Sequence, residues 1–175
     1  MFKGILVLIL LIVVVVLVLA VRQPDSFRIA RTVTIKAPPE RIFALINDFH
    51  SWSAWSPFEH LDPDMKRTFS GAPSGVGSVY EWDGKGKAGA GRMEITTATP
   101  TQQIVIKLDF LKPFEAHNQA EFTLKTQGDS TEVTWAMSGA MQFIAKVMGV
   151  FFNMDKMIGA DFETGLANLK ATAEK

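Results

Sequence analysis

The chain of 175 residues contains no cysteine, a single tyrosine and no excess of either charge. Without cysteine the protein has neither a disulfide bond nor a thiolate, so thiol catalysis and thiolate metal sites are excluded. Lysine and arginine together number 18, as do aspartate and glutamate. Proteins that bind nucleic acid usually carry a concentrated basic surface, so this balance argues against a nucleic-acid partner.

Residue combinations that would support catalysis or metal binding are also scarce. The three histidines, His50, His60 and His117, lack metal-ligand spacing, and His117 lies on the polar face of its predicted strand. The glycines between Gly84 and Gly91 resemble a phosphate-binding loop, but a strand follows them where a helix is required. We therefore predict no catalytic residue, no metal site and no cofactor.

Large apolar side chains, by contrast, are abundant. The sequence has 13 phenylalanines, eight methionines and four tryptophans. These side chains bring apolar area with few polar groups, as the wall of a hydrophobic pocket requires. The composition therefore favours a protein that binds an apolar molecule.

The amino terminus carries one long apolar segment. Residues 4–21 are all uncharged and nearly all Ile, Leu or Val. As a helix they would measure about 27 Å, close to the hydrocarbon thickness of a bilayer. We expect an uncleaved, single-pass anchor in the cell membrane. The alternative is a cleaved signal peptide, with Lys3 as its charged start and Ala20 near the cleavage point.

Two arguments about the side of the membrane on which the rest of the chain lies point in opposite directions. Export commonly leaves the domain that follows such an anchor outside the cell. However, Arg22, Arg28 and Arg31 follow the segment, whereas only Lys3 precedes it. The positive-inside rule therefore favours the opposite orientation.

The remainder of the chain is predicted to form one domain. We assign residues 1–22 to the anchor or signal peptide, 23–26 to a linker and 27–175 to the domain, which is long enough for one core. Apolar and polar residues alternate over residues 27–35, which predicts a strand. Two prolines and a glutamate then begin a short helix that ends near Asn47.

Six further strands and a long helix complete the predicted domain. Turn-forming residues separate alternating segments at 65–70, 78–82, 91–97, 103–110, 115–125 and 131–138. Beyond them, apolar residues recur every three or four positions from Met154 to Leu169, which predicts an amphipathic helix. This order is typical of an α+β domain whose helices cover one face of an antiparallel sheet.

Three stretches of sequence carry a resemblance to a known superfamily. They are residues 35–43 (IKAPPERIF), 47–57 (NDFHSWSAWSP) and 154–170 (MDKMIGADFETGLANLK). Over roughly residues 27–173 the chain resembles the polyketide cyclase/dehydrase and lipid-transport proteins of the START-related (SRPBCC) superfamily. The resemblance implies a helix-grip fold, in which a curved antiparallel sheet wraps around a long C-terminal helix and leaves a cavity. It implies no particular substrate, because such a fold supports many activities.

Inward-facing side chains of the strands and the last helix are the candidates for the cavity wall, with core packing as the alternative for each. Asn118 is polar on an otherwise apolar face and could orient a ligand. The two tryptophans that follow the short helix either close the cavity mouth or cover the core. The predicted ligand-binding residues are Trp52, Trp55, Trp82, Phe110, Asn118, Phe122, Trp135, Met137, Met157 and Phe162.

Residues 142–152 form a second, shorter apolar stretch. Lys146 is its only charged residue, and apolar side chains surround the predicted helix on all sides. One interpretation is the buried start of a helix. The other is a mobile gate at the cavity entrance that touches the bilayer.

Three functions are compatible with these observations. The leading hypothesis is a membrane-anchored binding protein that holds a hydrophobic small molecule or lipid in an internal cavity. A cyclase- or dehydratase-like enzyme would instead need a carboxylate or histidine with a shifted pKa inside that cavity. An envelope protein-interaction module would have a filled cavity and an exposed apolar patch. The sequence identifies no protein partner.

Overall fold

The computed structural model describes residues 2–175, with side chains from Lys3 onward. An N-terminal helix precedes a seven-stranded antiparallel sheet, and helices follow the sheet. In chain order the elements are α1 (Phe2–Val21), β1 (Ser26–Ile35), α2 (Pro39–Asn47), two 3₁₀ helices (Phe49–Ala54 and Pro57–His60), β2 (Lys66–Gly71), β3 (Ser78–Asp83), β4 (Ala90–Thr99), β5 (Gln103–Lys112), β6 (Ala116–Gln127), β7 (Ser130–Ala140), α3 (Phe143–Phe151) and α4 (Met154–Ala173).

The strands lie in the order β1-β7-β6-β5-β4-β3-β2, and each pairs antiparallel with its neighbours. All neighbours except β1 and β7 are consecutive in sequence, because short turns connect the strands. The curved sheet packs against the C-terminal helix α4. The predicted α+β helix-grip fold is confirmed.

One face of the sheet and the helices that cover it form the core. Side chains alternate between the two faces of a strand, so every second residue of the central strands points inward. α2 and α4 bury their apolar stripes against this face. The most completely buried aliphatic residues are Ile35, Ile42, Ile46, Ile95, Ile104, Ile106, Val133, Leu166 and Leu169.

The strand pairing defines two ends of the sheet. At the proximal end, where α1 joins the domain, Ser26 pairs with Ala140. At the distal end, Gly71 pairs with Ser78 in the hairpin between β2 and β3. α3 follows directly from the proximal end of β7, and α1 packs against it.

Candidate ligand-binding site

A cavity of about 420 Å³ lies at the proximal end of the domain. Inward-facing residues of β1, β5, β6 and β7 form one side, and residues of α3 and of the first turns of α4 form the other. Pockets for small molecules commonly occupy about 300–1,000 Å³, so this volume is at the lower end of that range. The space is large enough for one small apolar molecule.

The cavity wall is unusually rich in methionine. Five of the eight methionines in the sequence line it, namely Met137, Met141, Met148, Met154 and Met157. Methionine side chains are unbranched and polarizable, so they adapt to ligands of different shapes. The wall is therefore suited to apolar molecules of varied shape rather than to a single ligand of fixed shape.

Among the residues that the structure describes, three polar side chains interrupt this wall. Gln142 and Glu115 lie at the rim, where the Gln142 amide nitrogen donates to the Glu115 carbonyl oxygen at 2.9 Å. Asn118 lies deeper on β6, with its amide nitrogen 4.0 Å from the sulfur of Met137. The wall thus offers two side-chain amides, one of them at the rim, and one carboxylate at its edge, to orient a bound molecule.

The position of the Asn118 side chain depends on a glycine in the neighbouring strand. Gly139 of β7 is the register partner of Asn118. A β-carbon at residue 139 would overlap the Asn118 side-chain oxygen. The missing side chain therefore creates the space that lets a polar group lie on the cavity wall.

Four of the ten predicted ligand-binding residues line this cavity. Phe110, Asn118 and Met137 do so from the strands, and Met157 does so from α4. Their role in ligand binding stays a prediction. The structure brings these four together at the proximal end, away from most of the other predicted residues.

Five of the predicted residues form an aromatic core instead of lining the cavity. The rings of Trp135 and Phe162 stack in parallel, with centroids 4.2 Å apart. Close aromatic packing leaves no room for a ligand between these rings. The complete cluster is Trp52, Trp55, Phe122, Trp135 and Phe162, all of them buried.

Hydrogen bonds hold Trp52, in the first 3₁₀ helix, and Trp55, directly after that helix, over this core. The Trp52 indole nitrogen donates to the Ile46 carbonyl at 2.9 Å, and the Trp55 nitrogen donates to the Leu45 carbonyl at 3.1 Å. Both acceptors lie at the end of α2 and would otherwise lack helical partners. The tryptophans therefore cover the core and do not lie at the cavity mouth.

Trp82, the remaining predicted residue, packs behind a residue of the cavity wall and does not line the cavity. Its indole nitrogen donates to the Ala88 carbonyl at 2.9 Å. Its ring meets the Phe110 ring edge to face, with centroids 5.9 Å apart. Trp82 thereby positions a residue of the wall without reaching the cavity itself.

The helix α3 supplies wall residues that the sequence prediction did not name. Ile144, Ala145 and Met148 line the cavity, and Phe114 joins them from the turn between β5 and β6. The interpretation of residues 142–152 as a buried helix start is wrong, because most apolar side chains of α3 are exposed and Lys146 is buried. The clustering of methionine from residue 137 to 157 was the available signal.

Several clusters of titratable residues lie outside the cavity, among them one around Glu59, one around Asp109, and one in which Arg31 of β1 pairs with Asp155 and Glu163 of α4. The Tyr80 hydroxyl donates to Glu59 at 2.7 Å, and the Arg67 guanidinium donates to the same carboxylate at 2.7 Å. Burial raises the pKa of the Tyr80 phenol, and the hydrogen bond to Glu59 raises it further. These groups satisfy one another within the domain.

The second cluster lies on the outer face of the sheet. His117 is exposed, and its ring nitrogen Nδ1 lies 2.7 Å from the Asp109 carboxylate. The hydrogen bond to Asp109 raises the pKa of the His117 imidazole, although partial desolvation opposes the change. Across residues 2–175, no group of three or more His, Asp or Glu side chains is arranged to hold a metal ion.

Comparisons with known proteins agree with this architecture. The family described as "Polyketide cyclase / dehydrase and lipid transport" matches residues 26–174. No curated protein matches the sequence significantly.

Solved structures with the same fold share little sequence with this chain. The di-domain ARO/CYC BexL from the BE-7585A biosynthetic pathway has a TM-score of 0.65 at 15% identity, over 90% of this chain and 53% of BexL. Major latex-like protein 151 from Panax ginseng has a TM-score of 0.62 at 13% identity, over 87% of this chain and 100% of that one. Protein CV1439 from Chromobacterium violaceum has a TM-score of 0.60 at 14% identity, over 87% and 99% of the two chains. These similarities concern the fold alone.

Proposed function

Because this chain belongs to the polyketide cyclase/dehydrase and lipid transport family, we propose that it is a membrane-anchored protein that binds a hydrophobic small molecule or lipid. The ligand occupies the proximal cavity, and residues 1–22 anchor the domain formed by residues 27–175. The observation that carries the proposal is the cavity itself, whose wall is apolar apart from three polar side chains.

The chemistry of the wall supports binding through apolar contact. Transfer of apolar surface from water contributes about 25 cal/mol for each Å² that is buried. A ligand in this cavity would bury its surface against methionine and phenylalanine, while Asn118 and the rim amide of Gln142 satisfy a polar group. Glu115 would be the first residue to consider if the ligand were chemically altered.

The N-terminal helix supports the anchoring part of the proposal. The segment Lys3–Val21 is long and apolar enough to cross a membrane, and its side chains are largely exposed in the structure. A bilayer would cover this exposed apolar surface. An anchored domain also meets membrane-dissolved ligands at a raised local concentration.

A cavity-filling substitution tests ligand binding in the full-length protein. Ala116 lines the cavity from β6, whereas Gln119 lies exposed on the opposite face of the same strand. Ala116→Phe places a ring in the cavity, and Gln119→Phe adds the same ring outside it. After purification in detergent, native mass spectrometry is expected to detect a bound apolar molecule in the wild type and in Gln119→Phe, but not in Ala116→Phe.

A fatty acid titration extends the test to a defined probe. Palmitic acid at about 100 times its dissociation constant is expected to raise the free energy of unfolding by about 2.7 kcal/mol. The proposal fails if no molecule is retained and no apolar probe stabilises the protein, or if Ala116→Phe retains the same molecule as the wild type. Release of a chemically altered ligand would favour the enzyme hypothesis.

A further inference from the structure

The contact between α1 and α3 relates the cavity to the membrane. We propose that α3 and the adjoining Phe114 turn are embedded in one leaflet of the bilayer, so that the cavity mouth opens sideways into lipid. This inference rests on the proposed role of α1 as an anchor and deepens the proposed function, because it identifies the bilayer as the source of the ligand.

The length of α1 determines how deep its last turns lie. The spanning segment Lys3–Val21 has 19 residues. At about 1.5 Å per residue it measures about 28 Å, slightly less than the bilayer hydrocarbon thickness of about 30 Å. A span of this length needs all of its turns to cross the hydrocarbon, so its last turns do not extend into water. Any element that packs beside its last turns must therefore share their depth.

α3 packs beside those last turns. Leu10 in the first half of α1 is 62% exposed, whereas Leu17 and Leu19 are 42% and 45% exposed, and Ala20 is buried. α1 packs against α3, and the lower exposure of Leu17, Leu19 and Ala20 indicates contact over these turns, whereas Val21 at the end of the helix is 68% exposed. α3 therefore lies alongside the part of the helix that reaches into the bilayer.

The linker between α1 and β1 holds this arrangement in place. The Met141 backbone nitrogen donates to the Asp25 carbonyl at 2.8 Å. Lys146 of α3 donates to the Asp25 carboxylate at 2.5 Å, and the Gln23 side chain lies against Gly149. With only four residues between the end of α1 and β1, α3 has little freedom to leave the membrane-proximal position.

The surface of α3 has the composition that lipid requires. Its exposed side chains include Phe143, Ile144 and Met148, and Phe151 is 65% exposed. Lys146, the only charged residue of the helix, is buried and paired with the linker, so α3 presents no charge to the outside. Exposed apolar patches of this kind mark membrane or protein contacts, and the neighbouring span selects the membrane.

The rim of the cavity belongs to the same surface. Ile144, Met148 and Phe114 are exposed, and each also lines the cavity. A molecule dissolved in the leaflet could therefore enter without crossing water. The small cavity volume favours an amphiphile with a single chain over a phospholipid with two.

The absence of cysteine makes the inference directly testable in the full-length protein. Three single-cysteine variants carry a nitroxide label: Phe151→Cys on α3, Leu10→Cys in α1 and Val76→Cys in the exposed distal turn. The variants are reconstituted into vesicles of phosphatidylcholine and phosphatidylglycerol. Electron paramagnetic resonance then measures collisions of each label with oxygen, which concentrates in lipid, and with a nickel chelate, which stays in water.

The three labels separate the inference from its premise. The ratio of oxygen to nickel accessibility is expected to be several-fold higher at residues 10 and 151 than at residue 76. A water-exposed label at 151 beside a lipid-exposed label at 10 would overturn the embedding of α3 and leave the anchor intact. A water-exposed label at 10 would overturn the anchor, and the inference with it.

A second label checks that the result does not depend on one substitution. Met148→Cys lies one turn before residue 151 on α3, and its side chain is also exposed. It is expected to report the same lipid environment. A label in lipid at residue 76 would show that the distal end faces the membrane, which would contradict the inference.

Discussion

Replacement of Phe162 by alanine tests whether the aromatic centre of the domain is a packed core that is separate from the ligand site. Phe162 lies on α4, is only 2% exposed, and stacks on Trp135 with the two ring planes 7° from parallel. Gly165, one turn later on α4, lets the helix approach the Trp135 ring, because a β-carbon at residue 165 would lie 2.7 Å from that ring. The structure therefore has no spare volume around this pair.

The size of the effect follows from the burial of the ring. Replacement of a buried phenylalanine by alanine typically lowers the free energy of unfolding by about 3–5 kcal/mol. For a domain of this size each kcal/mol shifts the melting temperature by about 2–4 °C, so we expect a decrease of about 6–20 °C. All four tryptophans lie in the domain. Tryptophan fluorescence of the full-length protein in detergent therefore follows its unfolding without interference from α1.

Met157→Ala provides the matched control. Met157 lies on the same helix but is 60% exposed and lines the cavity. A substitution at such a surface position is expected to change stability by no more than about 0.5 kcal/mol. It should nevertheless weaken retention of the bound molecule, whereas folded Phe162→Ala protein should retain it. A loss of ligand without a loss of stability in Phe162→Ala would refute this division of the domain.

Two electrostatic predictions concern residues outside the cavity. Asp109→Asn is expected to return the raised pKa of His117 towards its ordinary value in an NMR titration. Because the folded-state pKa of His117 is raised, the contact between His117 and Asp109 stabilises the protein fully below about pH 6.5. This stabilisation is lost as the pH rises through the raised pKa. An unchanged pKa of His117 in Asp109→Asn would contradict the assignment of its raised pKa to the Asp109 contact. Arg67→Met leaves the Glu59 carboxylate buried without its cation and should cost about 3–5 kcal/mol in urea unfolding. The half-exposed Arg92 provides the control, since Arg92→Met should cost no more than about 1 kcal/mol; equal costs would argue against a buried network.

The strands could be predicted from sequence because their signal is local. Alternation of apolar and polar residues depends only on which face of the sheet is buried. The prediction for residues 103–110 lies within the observed β5, Gln103–Lys112, and that for 131–138 lies within β7, Ser130–Ala140. The resemblance supplied the helix-grip arrangement, which alternation alone does not define.

The boundary between core and cavity could not be predicted in this way. Trp135 and Met137 are two residues apart on β7 and face the same side of the sheet, yet Trp135 fills the core and Met137 lines the cavity. Alternation identifies the face of a side chain but not the point along the strand where the covering helix leaves the sheet. That point depends on where α3 ends and α4 begins, which is a tertiary feature.

The exposed surface of α3 escaped prediction for a related reason. Its residues are apolar on every side, so periodicity does not distinguish the side that faces the cavity from the side that faces outward. Lys146, the one polar marker, would ordinarily indicate the solvent side. In the structure its side chain is buried instead, and its amine pairs with the exposed carboxylate of Asp25 in the linker.

Photo-crosslinking from methionine tests the central claim, a ligand inside the cavity, most directly. Cells that express the full-length protein incorporate a diazirine analogue of methionine, and irradiation attaches any molecule that touches it. Met137 is buried and lines the cavity, Met93 is buried in the core, and Met148 is exposed on α3. We predict a hydrophobic adduct of defined mass on residue 137 and none on residue 93. Adducts confined to residue 148, with residue 137 unmodified, would show that lipid touches only the surface and would contradict the account.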